Sequence, residues 1–370
     1  MATLNGRPVD RPAVNFYEVG GFEVDPADPD EANVYNDPSW QPLLKLAEEH
    51  TDLIRMRKIA LQPAAHNCRD EFFKTDTFAQ DGSRYVRTIL RVAGRTLTAL
   101  TRRDREVDTV WNVEHLLKNL DDLKAYLSLP DGVFACEPDV SNLVEADREV
   151  GDRGIVMVDT DDPMCAAAML FSMEDYLLMA SQEPVWFQRL LEKLAPHYQA
   201  RTEQVAQAFP GHLWRVYGAE FATAPYLPPR LFEDYVVRYT GPMMAAIQKH
   251  GGYARLHCHG RVASVLPYLA QMRATAIDPL EPPPLGDVRL AEVRRDYGRD
   301  LVLFGNLEAR DIESMAPSDF EQVVAQALRE GISGEGKGFV LMPSASPYGR
   351  TITARTLANY ETMVRLTTTL

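Results

Sequence analysis

The chain has 370 residues, 45% of them apolar, enough to fill the core of one large α/β domain. A formal net charge of −14 excludes a nucleic-acid partner, because no stretch gathers enough Lys and Arg to neutralise a phosphate backbone. Four cysteines without a C-x-x-C spacing, no run of about 18 apolar residues and no apolar signal core lead to the expectation of a cytoplasmic protein with reduced thiols and no membrane span.

In chain order, Val14–Val19 reads as a first strand, Trp40–His50 as a helix and Ile54–Leu61 as a second strand. Residues 83–112 break the rhythm: Arg84-Tyr-Val-Arg-Thr-Ile-Leu and Thr96-Leu-Thr-Ala-Leu-Thr flank Ala93-Gly94, which predicts an inserted antiparallel hairpin. From Gly154 onward short apolar runs alternate with helical segments. Strands are predicted at Gly154–Thr160, Leu213–Glu220, Tyr253–His259, Ala274–Leu280, Leu301–Leu307 and Gly338–Pro343. Helices are predicted at Met164–Ala208 (broken near Glu183-Pro184), Pro229–His250, Val262–Met272, Leu290–Tyr297, Pro317–Glu330 and Ala354–Thr367. Alternation of this kind implies parallel pairing through right-handed crossovers. Eight strands in all predict a single (β/α)8 TIM barrel over residues 1–370, with the hairpin as an insertion.

Barrel chemistry lies at the carboxyl ends of the strands. That rule selects Glu220, His257, His259, Asp278, Glu281, Asn306, Glu308, Ser344, Ser346 and, near the first strand, Asn15, Tyr17 and Glu18. Tyr253-Ala-Arg-Leu-His-Cys-His-Gly260 is the most informative run, since residues two apart in a strand share a face and the two imidazoles would converge. Each residue also has a plainer use: Glu220 as a cap or a partner of Arg215, Glu281 as an acceptor for turn amides, Asn306 as a helix cap. Two imidazoles and a carboxylate suit zinc with one open position. No Gly-x-Ser-x-Gly elbow and no Walker A frame is present.

The segments Gly218-Ala-Glu-Phe-Ala-Thr-Ala-Pro225, His257-Cys-His-Gly260, Asp278-Pro-Leu-Glu-Pro-Pro-Pro284 and Phe304-Gly-Asn-Leu-Glu308 resemble the uroporphyrinogen decarboxylase superfamily, which includes corrinoid-linked methyltransferases. The decarboxylase type has an Arg-rich N-terminal motif, and Arg11-Pro-Ala-Val-Asn-Phe-Tyr-Glu-Val-Gly20 has no such cluster. The methyltransferase type has His-x-Cys and a later Cys; here His259 takes the place of the first Cys, and Ser344 and Ser346 stand where the second is expected. The resemblance therefore implies a metal, zinc, held by His257, His259, Glu220 and Glu281. His257, Glu220, Asn306 and Tyr17 would act on a small methylated O- or N-substrate, with Asn15, Asp278 and Ser344 on the cofactor side. A corrinoid on a partner protein would take the methyl group, and the chain would form a homodimer. The alternatives are a decarboxylase or other lyase using His257 or His259 as acid and base, or a non-catalytic binder of a tetrapyrrole or corrinoid.

Overall fold

A computed structural model describes residues 1–369. Eight parallel strands make one curled sheet: β1 (Ala13–Val14), β2 (Leu53–Lys58), β3 (Gly154–Asp161), β4 (Leu213–Tyr217), β5 (Tyr253–His257), β6 (Ala276–Asp278), β7 (Val302–Leu307) and β8 (Phe339–Pro343). Their order is β1-β8-β7-β6-β5-β4-β3-β2, every neighbour parallel. The two edge strands share no ladder; Asp52 N, just before β2, bonds Val14 O of β1 at 2.8 Å, and Met56 N of β2 bonds Gly21 O in the loop after β1 at 2.8 Å. The architecture is thus TIM-barrel-like.

Period-two alternation sorts the strand residues. Trp214, Val216, Leu256, Ile277, Leu303 and Leu341 face outward into the core shared with the helices. Met56, Met157, Leu213, Ala276, Val302, Phe304, Val340 and Met342 form a second apolar cluster inside the sheet. Above that cluster, toward the carboxyl ends, the interior turns polar. Arg215 lies in register with Asp159 on one side and Arg255 on the other, and one step further His257 lies opposite Asp278.

Several elements differ from the sequence expectations. The first strand stops at Val14, and Phe16–Val19 turns, because Tyr17 adopts the left-handed conformation with φ 59°. The second strand stops at Lys58; Ala60–Pro63 then pairs antiparallel with Cys136–Asp139, a strand the sequence reading passed over. The fourth stops at Tyr217, because Gly218 (φ 121°) turns the chain where a Cβ would sit 2.3 Å from Cys165 Cβ. Glu220 accordingly lies in a 3₁₀ turn, Ala219–Ala222, beyond the strand. The run Val262–Met272 forms only a 3₁₀ turn and a single helical turn. Residues 73–114 hold a four-stranded antiparallel sheet, Phe73–Gln80, Ser83–Val92, Arg95–Arg103 and Val110–Glu114, larger than a two-stranded hairpin. It is fixed to the strand-end loops by Asp108 N bonding Tyr348 O and by Arg350 bonding the carbonyls of Arg105 and Asn33. Among the described residues no helix is long and apolar enough to cross a membrane.

Candidate active site

β5 ends at His257, so His257 is anchored in the sheet while His259 lies just past it. The two rings nevertheless meet, with centroids 4.6 Å apart and planes at 88°. Each is fixed by a carboxylate from the next strand and its loop. His257 Nδ1 bonds Asp278 Oδ2 at 2.8 Å, and His259 Nδ1 bonds Glu281 Oε1 at 3.0 Å. An ionised carboxylate only accepts hydrogen bonds, so both Nδ1 atoms carry the proton and both Nε2 atoms remain for other partners.

The two rings differ in their hold on a proton. Burial drives the His257 pKa down to about 3, overcoming the attraction of Asp278, so this imidazole is neutral. Burial also works against a charge on His259, but the bond and charge of Glu281, with Glu220 behind them, outweigh it and raise the pKa. At Glu281 burial pushes upward and is outweighed by His259, while Oε2 also accepts from Gly260 N at 2.6 Å; the pKa falls. An imidazole that burial keeps neutral therefore stands beside one whose hold on a proton Glu281 strengthens, and the His259 side chain, 38% exposed, is the one that reaches the opening.

Beneath the pair lies a buried ionic layer. Arg255, fully buried, forms a 2.9 Å ion pair through Nε with Asp278 Oδ1, although neither atom is aligned for a hydrogen bond. Arg215 Nε donates to Asp159 Oδ1 at 2.6 Å, and its Nη1 donates to the Tyr17 hydroxyl. Tyr17 stacks over His257 with centroids 5.9 Å apart and planes at 20°. A bulky residue at positive φ is held there by its surroundings, here by Asn15, whose Oδ1 accepts from Tyr17 N at 2.8 Å while its Nδ2 donates to Asp52 O at 3.0 Å. Asn15 thus joins β1 to the start of β2 and sets the Tyr17 backbone.

The remaining expected residues are more dispersed. Glu220 Oε2 accepts from Gly218 N at 3.1 Å; burial raises its pKa, and the charge of His259 opposes that rise. Ser344 Oγ accepts from Ala309 N at 3.2 Å and lies 3.5 Å from Glu308 Oε2, at the base of the helix Ala309–Ser314. Asn306 lines a side cavity of about 480 Å³ with Pro282, Pro283 and the helix Leu290–Tyr297. A further cavity, of about 540 Å³, opens at the opposite end of the strands beside Gly154, Leu213 and Val340, far along the sheet from the imidazoles.

The two imidazoles suit the start of a metal site, since metal-bound histidines characteristically have the second ring nitrogen tied to a carboxylate. The expected four-residue set does not gather, however. Glu281 is committed to His259 and Gly260, Glu220 turns an oxygen back to Gly218, and among the described residues no three His, Cys, Asp or Glu side chains are grouped to hold a cation.

The roles expected from the sequence also left out residues that belong to this mouth. Glu308, only 5% exposed, has Oε1 buried without a partner; burial, then the charge of Glu281, lifts its pKa to about 7. Its position directly after β7 singles it out in the sequence, where it received no role. Arg215, Arg255 and Asp159 had a signal too: charges at inward positions of otherwise apolar strands.

The model of the uroporphyrinogen decarboxylase (URO-D) family matches residues 113–367. No curated protein matches the sequence. Among solved structures, a methyltransferase from Methanosarcina mazei is 13% identical with a TM-score of 0.57, covering all of this chain and 96% of that one, a likeness of fold. A D-psicose 3-epimerase, 10% identical over 66% of this chain and 84% of that one, has a TM-score of 0.32, too low to bear on the fold. The four-stranded antiparallel sheet lies almost wholly ahead of the matched residues, whereas both imidazoles and all their carboxylate partners lie within them: the chain belongs to the uroporphyrinogen decarboxylase family.

Proposed function

We propose that the chain is a methyltransferase of this family that takes a methyl group from a small O- or N-methylated substrate at the strand-end mouth and passes it to a corrinoid on a partner protein. The observation that carries this reading is the pair of touching imidazoles, each held by its own carboxylate, with burial favouring the neutral form of His257 and Glu281 favouring the protonated form of His259. The heteroatom that loses its methyl keeps the electron pair of the broken bond. A proton from His259 Nε2 neutralises that pair, while neutral His257 accepts a hydrogen bond from the substrate and Tyr17 keeps its ring in place. The corrinoid supplies the acceptor for the methyl group. Glu308, with a pKa near neutrality, restores the proton to His259 between turnovers.

The electrostatics disfavour a polycarboxylate substrate. Arg215 and Arg255 are already paired with Asp159 and Asp278, and the groups left at the mouth, Glu18, Glu220 and Glu308, are acidic. A second reading adds zinc, favoured by the two carboxylate-tied imidazoles; Glu220 would have to turn toward their Nε2 atoms to complete its ligands.

The test is the change in absorbance of reduced cobalamin on methylation, with trimethylamine, methanol and 2-methoxyphenol as donors. One donor class should methylate it, and His259→Gln should slow the reaction by roughly a hundredfold or more, the scale of general acid catalysis. Metal analysis of the same samples separates the two readings. Release of CO2 from a carboxylic acid, with no methylation from any donor, would overturn both.

A further inference from the structure

A second cleft, of about 460 Å³, lies outside the sheet, between the Ala60–Pro63/Cys136–Asp139 ladder and the long helix Pro184–Ala208. That volume suits a small organic ligand. Its walls are aromatic: Tyr126, Phe134 and Tyr198, with the His197 ring against Phe134 at 5.3 Å. Its charged side chains are Arg69 and Arg201, and no Asp or Glu lines it, although the chain has 53 acidic residues against 39 basic ones.

Both guanidiniums are preorganised. Arg69 lies over the Phe73 ring at 4.1 Å and has no carboxylate partner among the described residues. Arg201 lies over the Tyr198 ring at 4.4 Å, and its Nη2 donates to Thr160 Oγ1 at 3.0 Å and to Asp161 Oδ1 at 3.2 Å. Its buried Nε has no partner. Aromatic walls favour a flat ring, and two fixed cations with no facing acid favour a negative charge on it. Asp161 offsets only part of this field, because Tyr198 Oη also donates to it at 2.9 Å.

We propose that this cleft binds a small planar aromatic anion, its ring between Tyr126, Phe134 and Tyr198 and its acidic group facing Arg69 and Arg201. The site is separate from the imidazole pair. Arg201 links it to Thr160 and Asp161 at the end of β3, so a ligand drawing on Arg201 would loosen the Arg201–Asp161 pair.

Calorimetric titration of the full chain with 2-naphthoate, 2-naphthalenemethanol and 2-naphthalenemethylammonium tests this. The carboxylate should bind about tenfold more tightly than the alcohol, the scale of one hydrogen bond to a charged group, and the ammonium least. Arg69→Ala, a change at an exposed position, should erase the preference for the carboxylate, while His257→Ala should leave it intact. Equal binding of the three compounds would overturn the proposal, as would a preference that survives Arg69→Ala and disappears with His257→Ala. Neither result bears on methyl transfer at the mouth.

Discussion

At the residue scale, the chemistry depends on how two adjacent histidines come to hold a proton with different strength. His257 is enclosed and shares Asp278 with Arg255, so its carboxylate is already neutralised; His259 is more open and has Glu281 to itself apart from a backbone amide. Glu281→Gln should therefore lower the His259 pKa and shift the fall of activity at alkaline pH to lower pH, read from the pH–rate profile. An unchanged profile would deny the carboxylate that role. Tyr17→Phe removes the acceptor of Arg215 Nη1 inside the sheet and should cost about 1–3 kcal/mol in denaturant unfolding. The positive φ of Tyr17 was not legible in the sequence, because it is imposed by Asn15 and the β1–β2 junction and not by any local preference of tyrosine.

At the element scale, the regular half of the chain was legible and the turns were not. The helix Trp40–His50 was read to the residue, and Leu290–Tyr297 likewise, since each has an apolar stripe of helical period and clear ends. The strand ends were read too long at Glu220, where Gly218 turns the chain, and at His259, which lies past the strand with its ring and the Gly260 amide bonded to Glu281. Position at strand ends still found the mouth, whereas the pairing of each carboxylate with one imidazole needed coordinates. Another such junction is Asp162, which caps the helix Pro163–Ala168: Oδ1 accepts from Cys165 N at 2.7 Å and Oδ2 from Thr240 Oγ1 at 2.8 Å. Burial raises its pKa from 3.8 to about 7, so the folded state binds the proton more tightly than the unfolded chain. Its contribution to stability is fully present below the unfolded value and is lost as pH rises through about 7. Asp162→Asn keeps the cap without the charge and should stabilise the protein by about 1–3 kcal/mol at pH 8, with the gain vanishing near pH 4. Asp162→Ala loses the cap and should destabilise at acid pH by about 1 kcal/mol. Equal effects of the two substitutions across pH would refute this view of the junction.

At the scale of the whole molecule, the curled sheet is apolar at one end and ionic toward the other, and the chemistry stands on the ionic layer. Arg255→Met should leave Asp278 buried without its cation and cost about 3–5 kcal/mol, with Arg255→Met/Asp278→Asn recovering part of the loss in the same unfolding experiment. If the single substitution were neutral, the layer would not be supporting His257. The central claim, a neutral and a protonated imidazole held side by side at the mouth, is tested most directly by nitrogen-15 NMR of histidine-labelled, metal-stripped protein across pH. The account predicts one ring, lost in His257→Ala, that stays neutral with its proton on Nδ1 down to pH 5, and a second, lost in His259→Ala, that titrates above 6.5. Two rings titrating together near 6.5, or His257 taking up the proton first, would contradict it.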